Sequence, residues 1–341
     1  MSFSVQHTPT RLEYNGGSLN LLFGQRRNLL RPRHWRMLVA INRFNAEAVA
    51  ALTEEKWTSC SLRDYIAERA YGDDMLNFYL VPMSSAVWST PPQLMLDFPA
   101  LTLLRFWHNH GFLGLHTQHP WYTVTNGAKS YVKKITAPFH ERVRLRRKAV
   151  RVARTAGKVM ITAADGVTEK FDKAILACHG DQALALLADP TELEARLLRE
   201  FKYQPNTATL HTDASFMPRI RRCWASGNYR LDAAPDGRAL PTTHYWMNRL
   251  QSVSERENYF VSLNCHDRVG PERILRRIEY EHPLFNLAAI AAQKELPQLN
   301  HLSPVQTTYY AGAWFKYGFH EDGFTSALEC VRAVTGEPIW S

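Results

Sequence analysis

The chain has 341 residues, of which 45% are hydrophobic, 21% charged and 11% aromatic. This is a globular composition for one large or two ordinary domains, and its aromatic content excludes a mainly disordered chain. Lysine and arginine total 41 against 32 acidic residues, so the formal net charge is +9. This charge permits anionic partners without selecting one.

The cysteines and the N-terminal segment indicate the cellular compartment. The five cysteines, at positions 60, 178, 223, 265 and 330, are scattered. We therefore expect neither a disulfide framework nor a cysteine-based zinc site, and a reducing compartment fits. The N-terminus lacks the charged and apolar regions of a signal peptide, and the long uncharged stretch 75–96 is interrupted by prolines. We expect a cytoplasmic protein.

Hydrophobic periodicity predicts a mainly helical first third after a short hairpin. The segments RLEY and LNLLF flank Asn15–Gly17 and predict two strands joined by a turn. Apolar residues then recur at helical spacing from His34 to Leu52. Ser61 with Asp64 predicts the capped start of another helix.

An α/β pattern follows, with turn signals between short alternating segments. Asp165-Gly166 marks a hairpin turn, and Asp189-Pro190 predicts the start of a helix. The predicted elements are, in order, a helix over 127–139, a strand over 143–152, a hairpin over 158–171, a strand over 174–178, a helix after 190, irregular strands over 205–270, a helix from 270 through 280, a strand over 306–311 and a helix over 323–334.

The glycine-rich run from Tyr310 to Ala327 is the most informative stretch, because it joins a predicted strand to a predicted helix. Gly312, Gly318 and Gly323 would let backbone N–H groups approach a ligand closely. A helix that begins near Gly323 would direct its positive end at an anion or an electron-rich ring. An ordinary strand–turn–helix connection explains these glycines equally well.

This run resembles the C-terminal flavin-binding signature of the flavin-containing amine oxidase superfamily. It is most similar to the signature GAW-x-x-YGFHEDG-x-x-S of a bacterial branch described as NAD/FAD-binding proteins. Further matches occur in the same order along the chain: Pro82-Met83, Trp88-Ser89, Asn109-His110-Gly111, Trp121 with Val124, Tyr131-Val132, Met247 to Gln251 and His282-Pro283. The resemblance therefore covers nearly the whole sequence.

The resemblance implies an FAD-dependent oxidoreductase of amine oxidase or desaturase type. Its substrate would be a small apolar amine, acyl chain or isoprenoid that exchanges a hydride with flavin N5. No catalytic side chain is identified, and Trp88, Trp107, Tyr245 and Trp246 are candidates for a cavity wall that core packing explains better. The implied cofactor-binding residues are Val150, at the adenine, with Gly312, Ala313, Trp314, Gly318, Phe319, His320, Glu321, Asp322 and Gly323.

The fold implied is α/β, with two domains built from interleaved segments. We expect a remnant leading strand region over 1–17. The substrate domain would comprise 18–119, mainly helical, and 183–299, and the FAD domain would comprise 120–182 and 300–341.

One feature of the superfamily is missing from the sequence, which contains no strand–Gly-x-Gly-x-x-Gly–helix unit. That unit holds the FAD pyrophosphate at a helix N-terminus. The family has paired glycines before the segment that contains Tyr131-Val132. In this sequence the corresponding pair is Asn126-Gly127, and asparagine tolerates the required positive φ. We expect an N-terminal truncation that removes the first βαβ unit, and weak or no FAD binding by this chain. A non-catalytic truncated fragment is therefore one alternative function.

Clusters of arginine suggest a second alternative, a basic peripheral lipid-binding module at the inner face of an anionic membrane. These clusters are Arg26, Arg27, Arg31, Arg33 and Arg36, with Arg219, Arg221 and Arg222. The basic segment Arg142–Arg154 alternates with apolar residues like a solvated strand. Nucleic-acid binding is not expected, because no recognition helix or stacking platform accompanies the charge.

Four histidines between 108 and 119 raise the question of a metal site. No acidic residue lies between Asp97 and Glu141 to complete a ligand set. We expect no metal, and a packing role for His110.

Overall fold

The structure, a computed structural model, describes residues 2–88, 90–114, 117, 119–237, 239–302 and 306–337. Its fold is mixed α/β, which confirms the predicted class. The helices are α1 Leu19–Leu22, α2 Pro32–Ala51, α3 Leu62–Arg69, α4 Asp73–Met75, α5 Val81–Trp88, α6 Pro92–Met95, α7 Ala100–Asn109, α8 Ala128–Thr136, α9 Gly180–Leu186, α10 Glu192–Leu198, α11 Met247–Gln251, α12 Leu287–Gln293 and α13 His320–Thr335. The strands are β1 Phe3–His7, β2 Leu12–Asn15, β3 Ala149–Thr155, β4 Lys158–Ala163, β5 Thr168–Phe171, β6 Ala174–Leu176, β7 Lys202–His211, β8 Gly227–Ala233, β9 Ala239–Trp246, β10 Phe260–Leu263, β11 Ile274–Leu284 and β12 Thr308–Tyr310.

Seven strands form the largest sheet, in the order β11-β7-β10-β9-β8-β1-β2. β1 is parallel to β8 and antiparallel to β2, and β9 is antiparallel to both β8 and β10. A second sheet pairs β6 with β12 in parallel, and a third is the antiparallel β3-β4-β5 meander.

The chain divides into two compact units, each discontinuous in sequence. Unit 1 comprises residues 1–135 and 205–282, and unit 2 comprises 136–204 and 283–341. These boundaries differ from the domain boundaries predicted at 119/120, 182/183 and 299/300. Which unit serves the cofactor and which the substrate stays a prediction. Among the described residues, no helix combines the length and apolar character that crossing a bilayer requires.

The core of unit 1 forms where helices cover one face of the large sheet. The apolar side chains that meet there come from β1, β2, α1, α2 and the π-helical turn Leu76–Leu80. The ring of Phe44 on α2 packs edge-to-face on that of Trp107 on α7, with centroids 5.7 Å apart. The buried members of the sheet-side cluster are Val5, Leu12, Tyr14, Leu22, Phe23, Met37 and Phe78.

The opposite face of this sheet carries a buried row of polar side chains. The strand registers place these residues side by side across six strands, and each is at most 2% exposed. In order across the sheet they are Thr209, Ser262, His244, Asn228, Ser4 and Asn15. Buried polar groups are costly when unpaired. Hydrogen bonds hold five of the six side chains, and Thr209 Oγ1 has no hydrogen-bond partner among the described residues.

The core of unit 2 joins the parallel β6–β12 pair to α9, α10 and α12. Its fully buried members include Val159, Leu198, Phe201, Leu296 and Tyr310. The unit therefore has its own hydrophobic centre directly beneath β12 and the glycine-rich run that follows it.

Two predicted elements are wrong. The first hairpin turns at 8–11 rather than at Asn15–Gly17, and the segment LNLLF forms α1, capped by the Ser18 hydroxyl. The helix predicted from 270 through 280 is a short 3-10 turn followed by β11. The composition of β11 suits a helix, and pairing with β7 at the sheet edge overrides that local preference.

Several boundaries also shift. The helix predicted after Asp189-Pro190 is α10, whose N-cap is Thr191, because Thr191 and Glu194 form a capping box. The strand predicted over 143–152 is β3, which begins at Ala149. The predicted capping of α3 by Ser61 and Asp64 is confirmed.

Candidate functional site

The glycine-rich run leaves the end of β12 and returns into α13. The Ala311 N–H donates to the Leu176 carbonyl at 3.2 Å and so extends the β6 pairing by one residue. The Gly312 N–H donates to Ser326 Oγ at 2.9 Å, and Ser326 Oγ donates to the Gly323 carbonyl at 2.8 Å. The start of the run is therefore tied to the first turns of the helix.

Position 312 must be a glycine because the side chain of Trp314 occupies the space next to it. A Cβ at this position would lie 2.2 Å from Trp314 Nε1. The Trp314 side chain is 3% exposed, packs on Phe201 and donates from Nε1 to the Cys178 carbonyl at 3.0 Å. The indole therefore belongs to the core of unit 2, and a ligand could meet only the backbone here.

Gly318 supplies a left-handed conformation, with φ of 94°. Its N–H donates to the Ala313 carbonyl at 3.1 Å and closes the turn over residues 313–318. A Cβ there would lie 3.3 Å from the Phe285 ring. Both backbone conformation and space thus favour glycine.

The helix α13 begins at His320, three residues before the predicted start at Gly323. Asp322 is 8% exposed, and its Oδ2 accepts a hydrogen bond from the Phe319 N–H at 3.0 Å. His320 and Glu321 lie exposed at the helix start. Because Glu321 and Asp322 place negative charge in the first turn, this N-terminus suits hydroxyl groups or a ring edge better than a phosphate.

Gly323 differs from the other two glycines of the run, because the described residues leave ordinary space for a Cβ at this position. The atoms nearest to a Cβ at position 323 would be those of Ala313, at 3.8 Å and beyond, which is an ordinary contact distance. Its position within α13 is one where glycine weakens the helix by about 1 kcal/mol relative to alanine. Packing within the protein does not explain why this position is a glycine. The close approach of a ligand to the backbone would explain it.

Val150 is the extra residue of a bulge in β3. The register of β3 with β4 jumps from Ala149–Ala163 to Arg151–Thr162, which leaves Val150 without a partner in the ladder. Its side chain is 45% exposed. Bulges release backbone groups and often lie beside functional sites, so Val150 can offer its backbone to a ligand.

A buried ion pair holds β3, α10 and β12 together. The Arg154 guanidinium donates to both carboxylate oxygens of Glu194, at 2.8 and 3.0 Å, and to Thr308 Oγ1 at 3.2 Å. The Tyr310 hydroxyl donates to Glu194 Oε1 at 2.5 Å. Burial alone would raise the pKa of Glu194, but these hydrogen bonds outweigh it and hold that pKa below its usual value. Tyr310 is the first residue of the glycine-rich run, so the ion pair anchors the start of that run.

The aromatic residues considered for a cavity wall pack within unit 1. The Trp88 ring lies 4.7 Å from those of Phe98 and Phe106, between centroids. Trp107 is fully buried. The Tyr245 hydroxyl donates to the Ala86 carbonyl at 3.2 Å, and Trp246 Nε1 to Asn258 Oδ1 at 2.9 Å. These contacts are those of a packed core.

A histidine network on the polar face of the large sheet was not predicted from the sequence. The Asp213 N–H donates to His211 Nδ1, so the neutral ring carries its proton on Nε2, which donates to Ser262 Oγ at 2.6 Å. The Ser262 hydroxyl then donates to His244 Nδ1 at 2.6 Å, and His244 Nε2 donates to Thr242 Oγ1 at 2.8 Å.

This network also brings His211, His244 and Cys265 together, with ligand-type atoms within 4.8 Å of one another. A metal at His211 Nε2 would need a proton on Nδ1, where the Asp213 N–H already donates. The hydrogen bonds therefore explain the cluster without an ion. Of the four histidines between 108 and 119, His110 packs on the Phe106 ring with centroids 4.0 Å apart, and His116 lies outside the described residues.

Comparison with known proteins supplies the wider context. The model of the family described as flavin containing amine oxidoreductase matches residues 11–335. A CLA-producing fatty acid isomerase from P. acnes has a TM-score of 0.59 at 12% identity, over 98% of this chain and 80% of its own. A putrescine oxidase bound to putrescine has a TM-score of 0.59 at 10% identity, over 98% of this chain and 80% of its own.

Cyclohexylamine oxidase from Brevibacterium oxydans has a TM-score of 0.57 at 11% identity, over 98% of this chain and 79% of its own. At these identities the likeness to solved structures establishes the fold. No protein of curated function matches the chain significantly.

Proposed function

Because the chain belongs to the flavin-containing amine oxidoreductase family and is thereby an FAD-dependent oxidoreductase, we propose that unit 2 holds the flavin. The observation that carries this proposal is Gly323, a glycine within a helix around which the described residues leave ordinary space for a Cβ. The unpaired backbone of the Val150 bulge, in the same unit, is a second place that suits a cofactor.

The residues fit the two ends of FAD. Around the ring and ribityl chain we propose the backbone of Gly312, Ala313, Trp314, Gly318 and Phe319, with His320, Glu321, Asp322 and Gly323. Val150 would meet the adenine through its backbone. The sequence contains no Gly-x-Gly-x-x-Gly turn for the pyrophosphate, so these residues fit the ends of the cofactor better than its middle.

When bound, the flavin supplies the redox chemistry, the acceptance of a hydride equivalent at N5. The chain's own task is to orient the ring and to exclude water from the reacting bond. The ion pair beneath β12 serves the first task, since Arg154 and Glu194 fix Tyr310 and hence the start of the glycine-rich run.

We propose that the substrate is a small apolar molecule, an amine, an acyl chain or an isoprenoid. The likeness of the fold to a fatty acid isomerase and to a cyclohexylamine oxidase supports this class.

Anaerobic mixing of the flavin-loaded protein with three probes tests this function. The probes are an unsaturated fatty acid, a long-chain isoprenoid alcohol and putrescine, and the readout is loss of the oxidised flavin absorption. We expect reduction by one of the two apolar probes. Reduction by putrescine alone would overturn the substrate class. Failure of all three, with FAD present at saturation, would favour the non-catalytic alternative.

A further inference from the structure

The segment Gly16–Ala46 is strongly basic. It contains six arginines and no acidic residue. Two of the six have carboxylate partners, Arg33 with Asp74 and Arg43 with Glu47. For the other four, no carboxylate of the described residues lies within 4.0 Å: these are Arg26, Arg27, Arg31 and Arg36. Arg26, Arg27 and Arg31 donate to neutral oxygens of the chain itself, so no negative charge among the described residues neutralises these four arginines.

Large apolar side chains protrude from the same segment. Leu30 is 88% exposed and Val39 68%. Leu19 is 61% exposed, and Leu29 and Trp35 are each 46% exposed. Scattered exposed apolar residues are common, but five within 21 residues, interleaved with arginines that have no carboxylate partner, form an amphipathic surface. We call residues 19–39 the basic apolar surface.

The basic apolar surface is held in place by contacts of its own. Trp35 Nε1 donates to the Leu29 carbonyl at 2.9 Å, and the Trp35 ring lies 4.8 Å from that of Phe23. Arg26 donates to the Asn20 side-chain oxygen at 2.7 Å and to the Phe23 carbonyl at 3.1 Å. α1, the turn that carries Leu29 and Leu30, and the start of α2 thus form one connected face.

A cavity of about 370 Å³ opens on this face. Leu12, Met37 and Phe78 contribute apolar walls, and Leu30 and Arg31 also line it. The Asp74 carboxylate in the lining is paired with Arg33, which leaves Arg31 as the cation without a carboxylate partner there. An apolar recess beside an arginine matches the two parts of a phospholipid, its acyl chain and its phosphate.

We propose that the basic apolar surface docks on an anionic lipid bilayer. Leu30, Val39 and Trp35 would enter the interface while the arginines without a carboxylate partner meet lipid phosphates. Nucleic acid would satisfy the arginines but would offer no apolar interior to Leu30 and Val39. This inference is independent of the flavin site, because its residues all lie in unit 1 and outside the glycine-rich run.

Flotation with lipid vesicles tests the proposal, because floated protein cannot be confused with aggregates. The full chain is mixed with phosphatidylglycerol-containing or purely zwitterionic vesicles at low and high salt. The test variant carries Arg27→Gln, Arg31→Gln and Arg36→Gln. The matched control carries Arg249→Gln, Arg256→Gln and Arg276→Gln, exposed arginines elsewhere in unit 1 with the same loss of charge.

We expect flotation only with anionic vesicles, weakened by salt. At about fivefold per arginine, the test variant should lose on the order of 100-fold in apparent affinity, and the control far less. Leu30→Ser should lose about tenfold without changing charge. Equal losses of affinity in both triple variants would show that the protein binds vesicles through its overall charge and not through the basic apolar surface, which would overturn the proposal. Absence of flotation, or an unaffected Leu30→Ser variant, would overturn the proposal.

Discussion

The two units bury polar groups in opposite ways. Unit 2 buries a charged pair, Arg154 with Glu194, whose hydrogen bonds reach the strand that leads into the glycine-rich run. Unit 1 buries a neutral chain of hydrogen bonds, through His211, Ser262 and His244, in the middle of a sheet. Hydrogen bonds hold both groups, but the two groups respond differently to pH and to the loss of one member.

The largest effect is expected at Glu194. Replacing Glu194 with alanine leaves the Tyr310 hydroxyl without its buried partner, and it leaves Arg154 with only the half-exposed carboxylate of Asp189, at 3.4 Å. We expect the free energy of unfolding to fall by about 3–5 kcal/mol in chemical denaturation. Glu295→Ala is the matched control, because Glu295 pairs with Arg196 at 2.7 Å on the surface. That surface pair should contribute less than about 1 kcal/mol to the free energy of unfolding. Equal losses of stability in the two variants would contradict the difference between the buried and the surface pair.

Acid should open unit 1 before unit 2. Burial lowers the pKa of His211 to about 4 from an ordinary value of 6.5 and holds that of His244 well below its usual range. Below about pH 6.5 the unfolded chain binds protons that folded unit 1 cannot, so stability falls until about pH 4, by about 3 kcal/mol for His211 alone. Glu194 has a lowered pKa, so its contribution persists to about pH 4.5 and is lost only below that.

Limited proteolysis at successive pH values, with cleavage sites identified by mass spectrometry, measures this order. Cleavage within 205–282 should precede cleavage within 136–204 as the pH falls. The reverse order would show that the histidine network does not limit the acid stability of unit 1.

Breaking the neutral chain at its centre should have an intermediate effect. Ser262→Ala removes the hydroxyl that joins His211 Nε2 to His244 Nδ1 and leaves both ring nitrogens buried without that partner. We expect a loss of about 1–3 kcal/mol in the free energy of unfolding. Thr162→Ala removes an exposed hydroxyl that lies 2.9 Å from Thr168 Oγ1 and should change stability by less than about 0.5 kcal/mol. A neutral Ser262→Ala variant would mean that the network carries no stability.

The smallest change in stability is expected when two glycines of the run are each replaced with alanine, and its sign should differ between the two positions. Gly323→Ala should stabilise the flavin-free protein by up to about 1 kcal/mol, because alanine favours the helix and meets only ordinary contacts. Gly312→Ala should destabilise it by about 1–3 kcal/mol, because its Cβ displaces Trp314. Thermal unfolding of the two variants measures the difference, and destabilisation by Gly323→Ala would show that this glycine has an internal role after all.

Local signals in the sequence were sufficient where local chemistry decides the structure. The Ser61–Asp64 capping box begins α3, and the Asp165-Gly166 turn joins β4 to β5, as predicted. The family was also recognised from the signature in the glycine-rich run. These features depend on neighbouring residues, whose preferences are visible in the sequence.

Features that depend on distant partners could not be predicted. β11 was predicted as a helix because its pairing with β7 is not visible in its own residues. His211 and Ser262 are 51 residues apart, so no motif joins them. The bulge at Val150 depends on the register of β3 against β4, which alternation alone does not set.

The central claim is that FAD binds unit 2 at the glycine-rich run and the Val150 bulge. Hydrogen–deuterium exchange with and without saturating FAD tests it most directly, even where affinity is low. We predict slower exchange in peptides covering 312–323 and 149–152, abolished by Gly323→Leu and retained in Glu329→Leu, a control at an exposed position of the same helix. Protection confined to other segments, or unchanged by Gly323→Leu, would contradict the assignment.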